Sequence, residues 1–230
     1  MSNILFIMTG ANEWTLDDGS RHLTGFWAEE AAVPLEAFKN AGHTITVATP
    51  GGVVPPVDAG SLSDDDNGGA ARAAEIRAIV ETAPEFATPV DLAGIVTADF
   101  DAVFVPGGHG PMEDLAVNAD SGRALTEFVT AGKPVGVICH GPAALLAAVD
   151  TDGVNSFAGR TVAAFTNEEE RLAGLAPKAK WLLEDRLREA GVNVVVGVPF
   201  EPHVEVDGNV ITGQNPSSSA PVADAFLKQL

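Results

Sequence analysis

Four apolar runs rich in β-branched residues, "NILFIMTG" (3–10), "HTITVATP" (43–50), "DFDAVFVPGGHG" (99–110) and "KPVGVICHG" (133–141), are each closed by glycine or proline and separated by segments of helical period. A strand that is apolar on both faces needs a sheet covered on both faces, and the intervening helices supply that cover. "TGFWAEEAAVPLEAFKNAG" (24–42) reads as a helix with Thr24 as cap and Gly42 beyond its end, and Pro34 predicts a kink or break inside it. Residues 70–82 and 121–132 read as helices, and 55–70 as a loop. Further on, "PAALLAAV" (142–149), "NEEERLAG" (167–174) and "APKAKWLLEDRLREAG" (176–191) are helical in pattern, while "GRTVAAFT" (159–166) and "VNVVVG" (192–197) read as strand-like. "HVEVDGNVITG" (203–213) carries an Asp-Gly pair between alternating segments, the signal of a hairpin, and 217–229 closes the chain as a helix. The expected class is α/β: a three-layer sandwich around a mainly parallel sheet, built as a single domain over residues 1–230.

Charge narrows the range of partners. With 13 basic and 32 acidic residues the formal charge is −19, which repels phosphate backbones and anionic lipid headgroups, so neither nucleic acid nor a membrane surface is an expected partner. The start, "MSNILFIMTGANEW", lacks a basic leader, and its apolar run is too short for a signal segment or a membrane span, so a cytoplasmic location is the expectation. One cysteine permits neither an intramolecular disulfide nor a cysteine-based zinc cluster. Any special role for Cys139 therefore rests on its reactivity.

In open parallel sheets the site lies beyond the carboxyl ends of the strands. Three of those ends are chemically unusual here: "MTGANEW", "VPGGHG" and "ICHG". "VGVICHGPAALL" has the strand, tight turn and helix order of a nucleophile elbow with cysteine in the serine position, although Val137 replaces the first glycine of that pattern. A helix N-terminus facing the sulfur would stabilise a thiolate. Cys139 as a buried small hydrophobe is the competing reading, and the adjacent His140 and the Gly141–Pro142 pair weigh against it. In "VPGGHG", Gly107, Gly108 and Gly110 allow backbone N–H groups to turn toward a ligand, and the amides of Gly108 and His140 are placed to converge on one oxygen. His22 and His109 are given little weight, because a lone loop histidine is usually a surface residue.

"FVPGGHGPMEDL", "VGVICHGPAAL", "TGFWAEEAAVPLEAFKNAG" and "VDGNVITGQNPSSSA" together resemble the ThiJ/PfpI superfamily of class I glutamine-amidotransferase-like proteins, and within it the heat-shock chaperone and glyoxalase III branch. The resemblance runs from residue 3 to 228. It implies a flavodoxin-like sandwich with a reactive Cys139, a glutamate partner at Glu30, a triad completed by His140 and Glu170, and oxyanion or substrate contacts from Gly107, Gly108 and the His140 amide. It also implies a small dicarbonyl substrate, methylglyoxal turned to lactate without a metal or organic cofactor, and a homodimer. Three consecutive glutamates leave the triad acid ambiguous between Glu168, Glu169 and Glu170. Glu169 has the spacing for a capping box with Thr166, and Glu170 has it with Asn167. Two other classes compete: a holdase chaperone or redox-sensing stress protein, and a glutamine-amidotransferase-like hydrolase using His203 and Glu205, or a peptidase.

Overall fold

The computed structural model describes residues 1–230. Seven strands form the central sheet: β1 (Asn3–Ile7), β2 (Thr44–Thr49), β3 (Val90–Asp91), β4 (Ala102–Val105), β5 (Val135–Ile138), β6 (Val204–Asp207) and β7 (Val210–Gly213). Their order is β6-β7-β5-β4-β1-β2-β3, parallel throughout except for the β6–β7 hairpin at one edge. The chain steps outward from β1 to β2 and β3, then returns to lay β4 on the other flank of β1. That reversal leaves a crevice beyond the carboxyl ends of β1, β4 and β5, where an open α/β sheet binds its ligand.

Helix α1 (Ala28–Asn40) packs with α2 (Ala70–Thr82) and with α6 (Ser219–Leu227), whereas α3 (Ala119–Thr130) and α5 (Leu183–Glu189) pack around the turn Gly141–Ala147. Between the first group and the sheet, Phe6, Phe38, Phe104 and Phe226 meet with ring centroids 5.0–6.0 Å apart, all fully buried. Each such ring contributes about 1.5–3 kcal/mol by leaving water. The rigid core thus lies directly beneath the turns that carry the chemistry. No helix is long and apolar enough to cross a membrane.

Several local expectations are corrected. Pro34 does not break α1, which runs unbroken through it, held by packing against the sheet, α2 and α6. Thr24 is not its cap: Trp27 holds that position, and Thr24 Oγ1 donates to Asp58 at 2.7 Å. Residues 141–147 form a 3-10 helix rather than an α-helix. The helix expected over 176–191 is confined to Leu183–Glu189, because the residues before it bond elsewhere, the Lys178 carbonyl accepting from Asp17 N. The strands expected at 159–166 and 192–197 shrink to Thr161–Val162 and Asn193–Val194, a separate two-stranded pair. Here Thr161 N and Ala163 N donate to the side chains of Asp207 and Thr212 instead of extending a ladder. The first loop also holds a small hairpin, Glu13–Thr15 with Arg21–Leu23, which its mixed polar and apolar pattern does not signal.

Candidate active site

Cys139 stands one residue beyond β5 with a backbone φ of 59°, one of two non-glycine residues in the left-handed region. Such a conformation costs roughly 1–3 kcal/mol and persists only where the surroundings enforce it. Two backbone bonds do so: Cys139 N donates to the Gly213 carbonyl at 2.9 Å, and Phe165 N donates to the Cys139 carbonyl at 2.8 Å. The sulfur is thereby fixed at the floor of a cavity of about 420 Å³ whose walls include Trp27, Gly108, His109, His140, Phe165 and Phe200.

Four expected side chains meet there, although they come from three separated segments. His140 Nδ1 is 3.3 Å from Cys139 Sγ, and its Nε2 is 2.8 Å from Glu170 Oε2. Glu30, on the first turn of α1, is fully buried and accepts a hydrogen bond from Gly107 N at 2.7 Å through Oε2. Its other oxygen, Oε1, is buried without a hydrogen-bond partner. Burial pushes the Glu30 carboxyl up to about 8, even though the Cys139 thiol and the Gly107 amide pull it partly back. At neutral pH Glu30 is therefore largely protonated, and the proton belongs on Oε1, since Oε2 is occupied as an acceptor.

The thiol departs from the expected low pKa. Burial, followed by the negative charge of Glu30, pushes Cys139 well above its ordinary value, and only the Gly108 amide acts in the other direction. The segment after it is a 3-10 helix of seven residues, Gly141–Ala147. Cys139 rests as a thiol, not a thiolate.

The run of three glutamates is resolved by α4 (Asn167–Leu172). Glu169 closes the capping box with Thr166, Glu168 pairs with Arg171 at 2.8 Å on the surface, and Glu170 is left to face the cavity histidines. Burial disfavours the Glu170 carboxylate, but the His140 ring and hydrogen bonds from His109 and His140 outweigh it and hold the group well below the usual carboxylate range. An ionised Glu170 can only accept, so a neutral His140 carries its proton on Nε2 and turns a bare Nδ1 to the sulfur.

The glycine turn after β4 performs two distinct tasks. Gly107, expected among the oxyanion donors, instead commits its N–H to Glu30. A Cβ on Gly107 would lie 2.7 Å from both Glu30 Oε2 and His140 N, which shows how closely the two turns abut. The Gly108 amide adjoins the sulfur, and the His140 N–H is taken up by no oxygen of the chain. Both are available to a ligand atom above Cys139.

His109, given little weight from sequence, is buried: its Nε2 lies 3.0 Å from Glu170 Oε1 and its ring centroid 4.0 Å from that of His140. Trp14 stacks on it at 5.1 Å, and His22 meets it edge-on at 5.6 Å. The clue available in the sequence is its position, one residue after a glycine at the end of a central strand. Donor atoms of His109, His140 and Glu170 lie within 4.8 Å of one another, a spacing that suits one transition-metal ion. Each Nε2 is already engaged with Glu170, so a metal there would compete with the histidine–carboxylate pairing. His203 and Glu205 pair with each other at 3.1 Å on the edge hairpin and do not line the cavity, so the amidotransferase arrangement is not assembled at Cys139.

The sequence profile of the DJ-1/PfpI family matches residues 23–229. Among curated proteins, "Probable glutathione-independent glyoxalase hsp3104" of Schizosaccharomyces pombe is 32% identical over 138 residues, 58% of this chain and 62% of that protein. The chain thus spans about three fifths of that relative's length. "Protein/nucleic acid deglycase HchA" of Escherichia coli is 27% identical over 223 residues, 93% of this chain and 75% of that protein. Among solved structures, glyoxalase III from Candida albicans superposes with a TM-score of 0.86 over 100% of this chain and 97% of that one, at 23% identity, a likeness of fold.

Proposed function

The chain belongs to the DJ-1/PfpI family, and from that premise we propose that it is a glutathione-independent glyoxalase of the glyoxalase III type, a hydro-lyase (D-lactate dehydratase) that converts methylglyoxal and water to lactate through a Cys139 thioester and so protects against carbonyl stress. The observation that carries this reading is the Cys139–His140–Glu170 line, with sulfur to Nδ1 at 3.3 Å and Nε2 to carboxylate at 2.8 Å, beside a protonated Glu30. The names of the fission-yeast relative and of the Candida structure point the same way. A cavity of about 420 Å³ matches a small molecule.

The resting thiol requires that proton transfer accompany attack. His140 Nδ1 takes the S–H proton as sulfur bonds to the aldehyde carbon, C1, and the oxygen turning anionic meets the Gly108 and His140 amides. Returning the proton to that oxygen gives a neutral hemithioacetal. Loss of the C1 proton forms the enediol, and protonation of C2 yields the lactoyl thioester. Water then adds to C1 and sulfur leaves, taking back a proton for which Glu30 is the adjacent donor. Glu30 is suited to that step because burial keeps it protonated up to about pH 8.

The test is turnover of methylglyoxal by the purified protein without glutathione, with lactate and its stereochemistry read by NMR. Cys139→Ala is expected to abolish product. A Cys139→Ala sample that retains turnover overturns the reading.

A further inference from the structure

We propose that His109 is a second proton-carrying catalytic residue of this site, moving the oxygen-bound proton of the hemithioacetal while His140 moves the carbon-bound one. The inference rests on the glyoxalase reading above and extends it.

The chemistry sets the requirement. Converting S–CH(OH)–C(=O)–CH3 into S–C(=O)–CH(OH)–CH3 moves one proton from C1 to C2 and one from the C1 oxygen to the C2 oxygen, while an electron pair shifts along the same two-carbon unit. No atom enters or leaves, so nothing beyond these two transfers is required. Two protons on two different tracks are served by two carriers. His140 is 3.3 Å from the sulfur and so lies next to C1, the carbon bonded to it. A separate group for the oxygens would let the two transfers run on different residues.

His109 meets the geometric conditions for that task. It lines the same cavity, and its ring centroid is 4.0 Å from that of His140. The two imidazoles share one carboxylate: Glu170 accepts from His140 through Oε2 at 2.8 Å and from His109 through Oε1 at 3.0 Å. Since Glu170 can only accept, the neutral His109 ring has its hydrogen on Nε2 and a bare lone pair on Nδ1. No group of the chain hydrogen-bonds that Nδ1, unlike the fully paired histidine of a purely structural site. Trp14, stacked at 5.1 Å and 18°, and His22, edge-on at 5.6 Å, fix the plane of the ring. Both bases are therefore held in the same tautomer and steadied by the same anion. When either takes up a proton, Glu170 is already in contact with the cation that forms.

His109→Gln separates this role from a structural one. The glutamine amide can still donate to Glu170, but it carries no proton to or from substrate. The measurements are methylglyoxal kcat, the rate of Cys139 alkylation by iodoacetamide, and reversible hemithioacetal formation seen by mass spectrometry. Expected for His109→Gln is a kcat lower by about 100-fold or more, with thiol alkylation and hemithioacetal formation within about two-fold of wild type, as for any change that leaves the sulfur's surroundings intact. In His109→Ala, added imidazoles are expected to restore turnover in step with their basicity. Turnover by His109→Gln within about three-fold of wild type, or loss accompanied by slowed alkylation and no imidazole rescue, assigns His109 a structural role and overturns the proposal. A wild type inactive on methylglyoxal and glyoxal overturns the glyoxalase reading, and this proposal with it.

Discussion

Glu169 and Glu170, adjacent on the first turn of α4, turn their carboxylates to different partners. Glu169 accepts from Thr166 N at 3.0 Å and Thr166 Oγ1 at 2.9 Å, while Glu170 reaches His140 at 2.8 Å and His109 at 3.0 Å. Neighbours on a helix diverge by about 100°, so fixing one fixes the other. Glu169 also accepts from Phe200 N, Gln214 Nε2 and Asn215 Nδ2, which ties the cavity wall at Phe200 to the same anchor.

This division predicts two unlike phenotypes. Glu169→Ala strands several buried donors at about 1–3 kcal/mol each. A net loss of about 3 kcal/mol lowers Tm by roughly 6–12 °C in a chain of this size. Glu170→Gln keeps the volume but loses the anion that steadies both imidazoles. Its Tm is expected to stay within a few degrees of wild type while kcat falls by about 100-fold or more. Calorimetry and turnover on the two purified variants check the contrast, and equal Tm losses would refute it.

Glu30 gives stability a definite pH dependence. Its carboxyl titrates near 8 when folded against an ordinary value of 4.5. Between those values the folded protein keeps a proton that the unfolded chain releases, so stability falls as pH rises from about 4.5 to about 8 and then levels off. The charged neighbour Glu29 reinforces the shift, and the Cys139 thiol and Gly107 amide moderate it. Glu30→Gln is expected to flatten this slope, matching wild type near pH 5 and exceeding it by several degrees of Tm at pH 8.5. Thermal melts across that range decide the matter, and parallel wild-type and variant curves would count against a buried, protonated Glu30.

Cys139 alkylation should follow the same pair from the other side. Because burial and the Glu30 charge raise the thiol, reaction with iodoacetamide is expected to be slow at pH 7 and to climb steadily above pH 8. Removing the charge in Glu30→Gln lowers the thiol pKa, so alkylation at pH 8.5 rises by several-fold. Glu169, the other carboxylate acting on the sulfur, is unchanged in that variant. Fast alkylation of the wild type at pH 6, with no further rise, would indicate a resting thiolate and contradict this account.

Much of this is legible in the chain because it is local. Apolar runs ending in glycine locate β1, β4 and β5, and their shared carboxyl edge places "VPGGHG" beside "ICHG". What stays hidden depends on distant contacts. Which glutamate of 168–170 faces inward follows from Thr166 serving as the cap, and two capping pairs of equal spacing compete for that role. His109 is buried by Trp14, about a hundred residues earlier, so its glycine-rich loop marks its place at the strand end but not its burial. The raised thiol follows from its own burial and from the charge of Glu30, neither of which is encoded in the motif "CHGP".

The turn after β4 tests whether close approach, rather than mere flexibility, explains its glycines. Gly108 has φ +86°, and a methyl group there would collide with the Gly25 carbonyl oxygen and lie 2.6 Å from Trp27 N. Gly132 has φ +70°, but nothing lies within 4 Å of where its Cβ would stand. Alanine at Gly132 therefore costs only the left-handed conformation, about 1–2 kcal/mol, and should leave turnover unchanged. Alanine at Gly108 adds a backbone overlap that must push the turn away from the start of α1. That movement disturbs the Gly107–Glu30 hydrogen bond of 2.7 Å and the amide beside the sulfur. Gly108→Ala is expected to lose at least about ten-fold in kcat, as when an oxyanion donor is displaced, with a larger fall in Tm than Gly132→Ala. Turnover and melting measured on both variants compare the two costs directly, and matching behaviour would show that the Gly108 turn tolerates a side chain.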